Sequence, residues 1–103
     1  LVKSLVLGRD PSDDADVQAG RADGAVLADP GNTISRVHAE IRAAGWDVHL
    51  VDRGSTNGTF LWSAVGNQWD RLPSHQPVAL TPGTTIAFGA LTATFESANR
   101  QKA

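Results

Sequence analysis

The sequence contains no cysteine, methionine or tyrosine, and its apolar runs are far shorter than a membrane span. Without cysteine, the chain cannot form a disulfide framework or a thiolate metal site. The formal net charge is -2, so the basic surplus that nucleic-acid-binding domains normally carry is missing. We expect neither a nucleic acid nor a membrane as a partner, and we expect no cofactor.

What remains is the composition of a small globular protein. The chain has 103 residues, of which 41% are hydrophobic and 19% charged, and this is enough for one domain with one core. It starts at Leu1 rather than at a methionine, and so we interpret it as a piece of a longer protein. We expect one domain over residues 1–98 and a tail at 99–103. The lack of cysteine fits a reducing compartment, and a cytoplasmic location is expected.

Most of the chain consists of short apolar or alternating segments separated by glycine, proline and polar residues, a pattern typical of strands and turns. In residues 46–52 the alternation places Trp46, Val48 and Leu50 on one face. Strands about ten residues apart predict an antiparallel β-sandwich or barrel. The predicted strands are 4–8, 25–31, 46–52, 59–62 and two or three runs within 77–97, with residues 10–24 mostly loop and 63–77 irregular.

Residues 34–44 fit two interpretations. Ile34, Val37 and Ile41 repeat with helical spacing, whereas Val37, Ala39 and Ile41 share one face of a strand. The segment is short for a helix, and the surrounding sequence predicts strands. We therefore favour a strand.

Three short motifs follow one another along the chain. Each is weak alone, but their order and spacing together are a strong signal. They are Gly8 and Arg9 after an apolar strand, Ser-Arg-Val-His at residues 35–38, and Ser-Thr-Asn-Gly at residues 55–58.

Together these motifs resemble the forkhead-associated (FHA) domain, whose marks are Gly-Arg, Ser-Arg-x-His and a later Asn-Gly. The resemblance extends from about residue 5 to residue 96. It implies an antiparallel β-sandwich of the FHA type, whose loops at one end bind phosphothreonine peptides in signalling by Ser/Thr kinases. It also implies that the chain is not an enzyme.

The chemistry of the same residues suits a phosphate, which carries about 1.5 to 2 negative charges and three acceptor oxygens at neutral pH. A phosphate site needs fixed cations, short hydroxyl donors and backbone N–H groups, and arginine can donate two bonds at once. The candidate phosphopeptide-binding residues are Arg9, Ser35, Arg36, Thr56 and Asn57.

The resemblance also implies how individual residues act. Asn57 would pair with the main chain of the bound peptide. His38 would brace the loop rather than contact the ligand, and Gly8 and Gly58 would allow sharp backbone turns. The hydroxyl residues around Asn57 and Gly58 would then be ligand donors on a turn, rather than residues that only satisfy their own backbone.

Two Gly-Arg pairs compete for the arginine position. Gly8 and Arg9 follow an apolar strand and precede an acidic turn, as in the family. Gly20 and Arg21 follow no such strand. However, Arg21 lies 14 positions before Ser35, close to the usual family spacing, and Arg9 lies 26 before it. We favour Arg9. This choice implies an insertion of roughly a dozen residues, which resembles bacterial members of the family, and a bacterial source is therefore expected. It also places the family's first two strands upstream of this sequence.

Other interpretations remain open. A domain of this fold could act as a scaffold that binds partners without a phosphate. Ser35, His38 and Asp52 could form a hydrolase triad, but no nucleophile elbow of the form G-x-S-x-G is present.

A metal site is not expected. The three histidines lack dense ligand spacing, and the acidic run at residues 10–16 lacks the glycine and the terminal glutamate of an EF-hand. Farther along, Trp62 and Trp69 bracket a long connection. We expect them to clamp it on the sandwich edge, with a side wall for a peptide as the alternative.

Overall fold

The computed structural model describes residues 3–28, 31–44 and 47–96. Apart from one 3-10 turn and one short helix, its regular elements are strands. In chain order they are β1 (Ser4–Gly8), the 3-10 turn (Pro11–Asp13), α1 (Ala15–Gln18), β2 (Ala22–Val26), β3 (Ala39–Ala44), β4 (Asp47–Asp52), β5 (Thr59–Ser63), β6 (Gln68–Arg71), β7 (Val78–Ala79), β8 (Thr85–Phe88) and β9 (Leu91–Thr94).

The strands form two sheets, and the predicted β-sandwich is confirmed. One sheet has the order β2-β1-β3-β4-β7 and the other has the order β6-β5-β8-β9. The strand pairs are antiparallel except for β1 and β2, which run parallel. The predicted tail at 99–103 lies outside the described residues.

The core lies between the two sheets. Leu7 and Leu50 from the five-stranded sheet belong to the same buried cluster as Ile86 and Phe88 from the four-stranded sheet. Val48 packs against this cluster as well, so the alternation within β4 is confirmed for its two described core positions; Trp46 lies outside the described residues. Burying a large aliphatic or aromatic side chain contributes about 1.5–3 kcal/mol, and this cluster therefore holds the two sheets together.

The segment predicted to be mostly loop, residues 10–24, contains three regular elements. The side chain of Asp14 accepts hydrogen bonds from the N–H groups of Asp16 and Val17 and caps α1. Asp10 accepts from Ser12 and caps the 3-10 turn that begins with Pro11. The prediction was wrong because these polar residues are helix caps, and caps have the same composition as loops.

This segment covers the outer face of the five-stranded sheet. A Cβ on Gly24 would lie 3.3 Å from Cγ of Pro11 and 3.5 Å from Cγ1 of Val17, so the turn and α1 pack directly on β2. Val6, opposite Gly24 in the register, is fully buried.

β2 starts earlier than the predicted strand at residues 25–31. It covers residues 22–26, and residues 29–30 of the predicted strand lie outside the described residues.

Residues 34–44 divide into two parts. The second part is β3, which confirms the predicted strand for these residues, and β3 pairs with both β1 and β4. The first part, residues 34–38, is an irregular loop that leads into β3. The main-chain N–H of His38 donates to the carbonyl of Leu7 at 2.9 Å, and this contact fixes the loop against the end of β1.

Residues 63–77 also contain a strand that was not predicted. β6 pairs with β5 as a hairpin, and Trp62 lies directly opposite Trp69. The two rings meet edge to face, with centroids 5.3 Å apart, so the pair clamps the hairpin. All four residues of β6 are exposed. A strand with no buried face has no apolar alternation to reveal it.

Candidate functional site

Three loops meet at one end of the sandwich. They follow β1, precede β3 and connect β4 to β5. Between them lies a shallow depression of about 230 Å³. The structure thus brings together four of the five predicted ligand residues, all except Arg36. The lining residues are Arg9, Asn32, Thr33, Ile34, Ser35, Thr56 and Asn57.

Gly8 allows the closest of these loop contacts. A Cβ at this position would lie 2.0 Å from the carbonyl oxygen of Arg36, which is far inside van der Waals contact. Next to it, the N–H of Arg9 donates to the carbonyl of Ser35 at 2.9 Å, and the N–H of Asp10 donates to that of Arg36 at 3.1 Å. The backbone on both sides of Arg9 is therefore attached to the loop that carries Ser35.

The side chain of Arg9 lies along the same loop. Its Nε donates to the carbonyl of Ile34 at 3.4 Å. This contact orients the guanidinium along the rim of the depression, where a rigid strand end supports it.

His38 connects two of the three loops. Its Nδ1 accepts a hydrogen bond from the N–H of Ser35 at 3.0 Å. Its Nε2 lies 2.9 Å from the carbonyl oxygen of Gly58 and must donate, because a carbonyl only accepts. These two bonds assign the neutral tautomer that carries its proton on Nε2. The ring is fully buried and meets Phe88 edge to face.

Asp52 organises the turn that contains Asn57. Its carboxylate accepts from the hydroxyls of Ser55 and Thr59, from the hydroxyl of Ser74 at 3.0 Å, and from the N–H groups of Gly54 and Ser55. Burial alone would raise the pKa of Asp52, but these donors outweigh it and lower the pKa below the ordinary value of 3.8. Asp52 is a support residue that the sequence analysis considered only as a triad member.

Ser55 therefore belongs to the turn. Besides donating to Asp52, its Oγ accepts the N–H of Gly58 at 3.1 Å, and the residue is buried. Gly58 has a φ of 91°, a conformation that other residues rarely adopt. Of the hydroxyl residues around the turn, Ser55 supports the backbone, and Thr56 lines the depression.

The polar groups that line the depression are held in place by one another. The Oγ of Ser35 accepts the N–H of Thr56 at 3.1 Å. The Nδ2 of Asn57 donates to the carbonyl of Thr33 at 2.9 Å, and the Oγ1 of Thr33 accepts the N–H of Ala90 at 2.9 Å. Thr33 was missed by the sequence analysis. Its position just before the Ser-Arg-Val-His motif was the available signal.

The remaining two arginines named as ligand candidates are paired with carboxylates. Arg36 contacts Asp13 at 2.9 Å and Asp10 at 3.4 Å. Hydrogen bonds from Ser12, with a further contribution from Arg36, lower the pKa of Asp10. Arg21 contacts Asp16 at 2.8 Å. Neither arginine lines the depression.

An ion-pair network fixes the base of the Asn57 loop to the segment that covers the sheet. Arg53 contacts Asp14 at 2.6 Å and Glu40 at 3.3 Å, and both carboxylates are almost fully buried. The main-chain N–H of Arg53 donates to the carbonyl of His38 at 3.0 Å. The segment at residues 10–18 thus supports the site from behind, which no sequence motif indicated.

The geometry does not support a hydrolase triad of Ser35, His38 and Asp52. Both ring nitrogens of His38 are engaged by backbone groups, and the carboxylate of Asp52 is engaged by the hydroxyls of Ser55, Thr59 and Ser74. The proton relay of a triad therefore cannot form with Ser35.

Within residues 3–28, 31–44 and 47–96, no three histidine, aspartate or glutamate residues cluster as metal ligands would. No helix in the described parts of the chain has the length and apolar character to span a membrane.

Comparisons with known proteins place these features in context. A family model described as the FHA domain matches residues 5–89. The chain is 37% identical over 92 residues to Nibrin homologs of Oryza sativa, subspecies indica and japonica, a match that includes 76% of this chain and 16% of theirs. The chain therefore spans a small part of these relatives. They are plant proteins and give no support to the expected bacterial source.

Solved structures of the same fold include one from a plant and one from yeast. The solution structure of the FHA domain of an Arabidopsis thaliana hypothetical protein has a TM-score of 0.64 at 25% identity, over 97% of this chain and 73% of that one. The N-terminal FHA domain of S. cerevisiae Rad53p, solved in complex with a phosphothreonine peptide, has a TM-score of 0.54 at 25% identity, over 85% and 57% of the two chains.

Proposed function

Because the chain belongs to the forkhead-associated (FHA) domain family, we propose that it binds phosphothreonine-containing segments of proteins in the depression between its three loops. The observation that carries the proposal is the convergence of Arg9, Ser35, Thr56 and Asn57 on this depression. One cation, two hydroxyls and an amide are the groups that a phosphorylated peptide requires.

Each of these residues has a role in the proposal. Arg9 donates to the phosphate from the rim, and the hydroxyls of Ser35 and Thr56 donate from the floor. A primary amide has two N–H donors and one carbonyl, so Asn57 keeps a donor and the acceptor for the main chain of the peptide while it bonds Thr33. Binding requires no covalent step, and we propose no catalytic activity.

Arg36 has a different part in the proposal. Its guanidinium is held by Asp10 and Asp13, so a bond to the phosphate requires it to leave or share these carboxylates. Such exposed ion pairs are weak, because water screens the charges and both side chains lose conformational freedom. We propose that Arg36 contributes long-range attraction to the phosphate and that Arg9 contributes the stronger direct contact.

The biological setting is a further part of the proposal. A module that reads phosphothreonine acts downstream of a Ser/Thr kinase, and we propose such a signalling role in the cytoplasm. The alternative function is a scaffold that binds its partner without a phosphate.

The two functions are separated by a peptide array that carries threonine-centred sequences in phosphorylated form, with a duplicate array treated with phosphatase. Phosphothreonine recognition predicts spots that disappear after phosphatase treatment and that are strongly weakened with the Arg9→Ala variant. Spots that survive treatment with unchanged intensity would favour the scaffold function. The Arg21→Ala variant is the matched control, because Arg21 contacts Asp16 outside the depression.

A further inference from the structure

Arg71 lies next to the candidate site but is not part of it. It is the last residue of β6, opposite Phe60 in the hairpin register. Its guanidinium carbon lies 5.9 Å from the centroid of the Phe60 ring. A Cβ on Gly58 would lie 2.9 Å from Nε and 3.1 Å from Cζ of Arg71. The guanidinium therefore borders the turn that presents Asn57.

Among the residues that the structure describes, no carboxylate lies within ion-pair distance of Arg71. Other arginines of the chain have such partners: Asp16 for Arg21, Asp10 and Asp13 for Arg36, Glu40 for Arg42, and Asp14 and Glu40 for Arg53. Within the described part of the chain, Arg71 thus adds positive charge at the edge of the site that no carboxylate compensates.

The contact with Phe60 orients this charge. A guanidinium near an aromatic ring is attracted to its face by the charge distribution of the ring. The N–H donors lie in the guanidinium plane, so a ring contact leaves them available for a carboxylate or a phosphate. The side chain is also restricted before any ligand arrives, which lowers the entropy lost on binding.

We propose that Arg71 selects peptides that carry an anionic side chain close to the phosphothreonine. This inference rests on the proposed function, since it requires a phosphopeptide whose main chain pairs with Asn57. Such a peptide passes within reach of Arg71, because the guanidinium borders Gly58, the next residue in the turn. The anion is a carboxylate of aspartate or glutamate, or the phosphate of a second phosphorylated residue.

The test uses a phosphothreonine peptide with neutral neighbours and a series in which one glutamate replaces each of the three residues on either side in turn. A parallel series carries phosphoserine at the same positions. Each peptide is titrated with the wild-type chain, with Arg71→Gln and Arg71→Lys, and with Arg21→Gln as the matched control. Thermal melting of each variant is recorded as a measure of folding.

The proposal predicts that glutamate or phosphoserine in at least one position strengthens wild-type binding about two- to fivefold, the size of an exposed ion pair. Arg71→Gln should lose this preference but bind the neutral peptide within twofold of wild type. Arg71→Lys should retain part of the preference, and Arg21→Gln all of it. A gain with both series assigns a general anion site, and a gain with phosphoserine alone assigns a second phosphate.

The proposal is overturned if neither anion strengthens wild-type binding at any position, or if Arg71→Gln keeps the full preference. Failure of the proposed function has a different signature, since the neutral phosphothreonine peptide would then bind no better than its unphosphorylated form. A low melting temperature for Arg71→Gln does not confuse these outcomes, because the preference is a ratio of two affinities measured on the same folded protein.

Discussion

The imidazole of His38 donates a hydrogen bond to the carbonyl of Gly58, across 2.9 Å and between two loops that are twenty residues apart in sequence. The same ring accepts the N–H of Ser35. The alignment of the Ser35 loop with the Asn57 turn therefore depends on one fully buried side chain.

Replacing His38 with alanine should destabilise the domain and weaken peptide binding together. The change leaves the carbonyl of Gly58 and the N–H of Ser35 without their partner, and an unsatisfied buried polar group costs about 1–3 kcal/mol. We expect the free energy of unfolding in urea to fall by about 2–4 kcal/mol. His49→Ala, on β4, is the control. Equal melting curves for His38→Ala and wild type would show that His38 does not brace the two loops.

Asp52 should make the stability of the domain sensitive to acid. Its pKa is depressed in the folded state, so the folded carboxylate releases its proton more readily than the unfolded one. Its contribution to stability is fully present above the unfolded pKa of 3.8 and is lost as the pH falls through the folded pKa. Urea unfolding at a series of pH values should show a shallower acid decline for Asp52→Asn than for wild type. Parallel declines would assign the acid sensitivity to other carboxylates.

Two glycines provide a matched test of the loop contact at the end of β1. Gly8→Ala should be strongly destabilising, because the new Cβ would meet the carbonyl oxygen of Arg36 at 2.0 Å. Gly20→Ala should cost only about 1 kcal/mol, since Gly20 has a positive φ but no atom within 4 Å of its Cβ position. The melting temperatures of the two variants, each measured relative to wild type, test this difference. A Gly8→Ala variant as stable as Gly20→Ala would show that the loop can move away.

Arg9→Ala should weaken phosphopeptide binding about tenfold to a hundredfold, the loss expected for a charge-assisted bond to a phosphate. Arg21→Ala should bind within twofold of wild type, because its side chain pairs with Asp16 away from the depression. Calorimetric titration of both variants with one phosphothreonine peptide gives the ratio. If Arg21→Ala is the weaker binder, the assignment of the two Gly-Arg pairs must be reversed.

The sequence was sufficient for the fold where residues alternate between the core and solvent. Val48 and Leu50 were placed on the core face of β4 on this basis. It was not sufficient for β6, whose four residues are all exposed, nor for the residues that precede β2, where Asp10 and Asp14 act as caps. A periodic pattern requires an apolar buried face. β6 has no buried residue, and in the segment before β2 the buried positions are Pro11 and Asp14.

For the candidate site, the sequence motifs named the residues on the loops but not those behind them. Arg9, Ser35, Thr56 and Asn57 were named from the motifs and line one depression. Arg53 and Asp14, which anchor the Asn57 loop, are 39 positions apart. Their contact depends on the three-dimensional packing of α1 on the sheet, which short-range patterns do not contain.

The most direct test of phosphothreonine recognition is to titrate the chain with three versions of one peptide. They carry phosphothreonine, phosphoserine or threonine at the central position. We expect no measurable binding of the threonine form and at least a several-fold preference for phosphothreonine over phosphoserine. Burial of the additional methyl contributes about 0.8 kcal/mol, and the β-branch restricts χ1 before binding. Added salt should weaken binding of both phosphorylated forms and leave their ratio unchanged, because salt screens the phosphate contacts and not the methyl contact. Equal affinity for all three peptides would contradict phosphothreonine recognition.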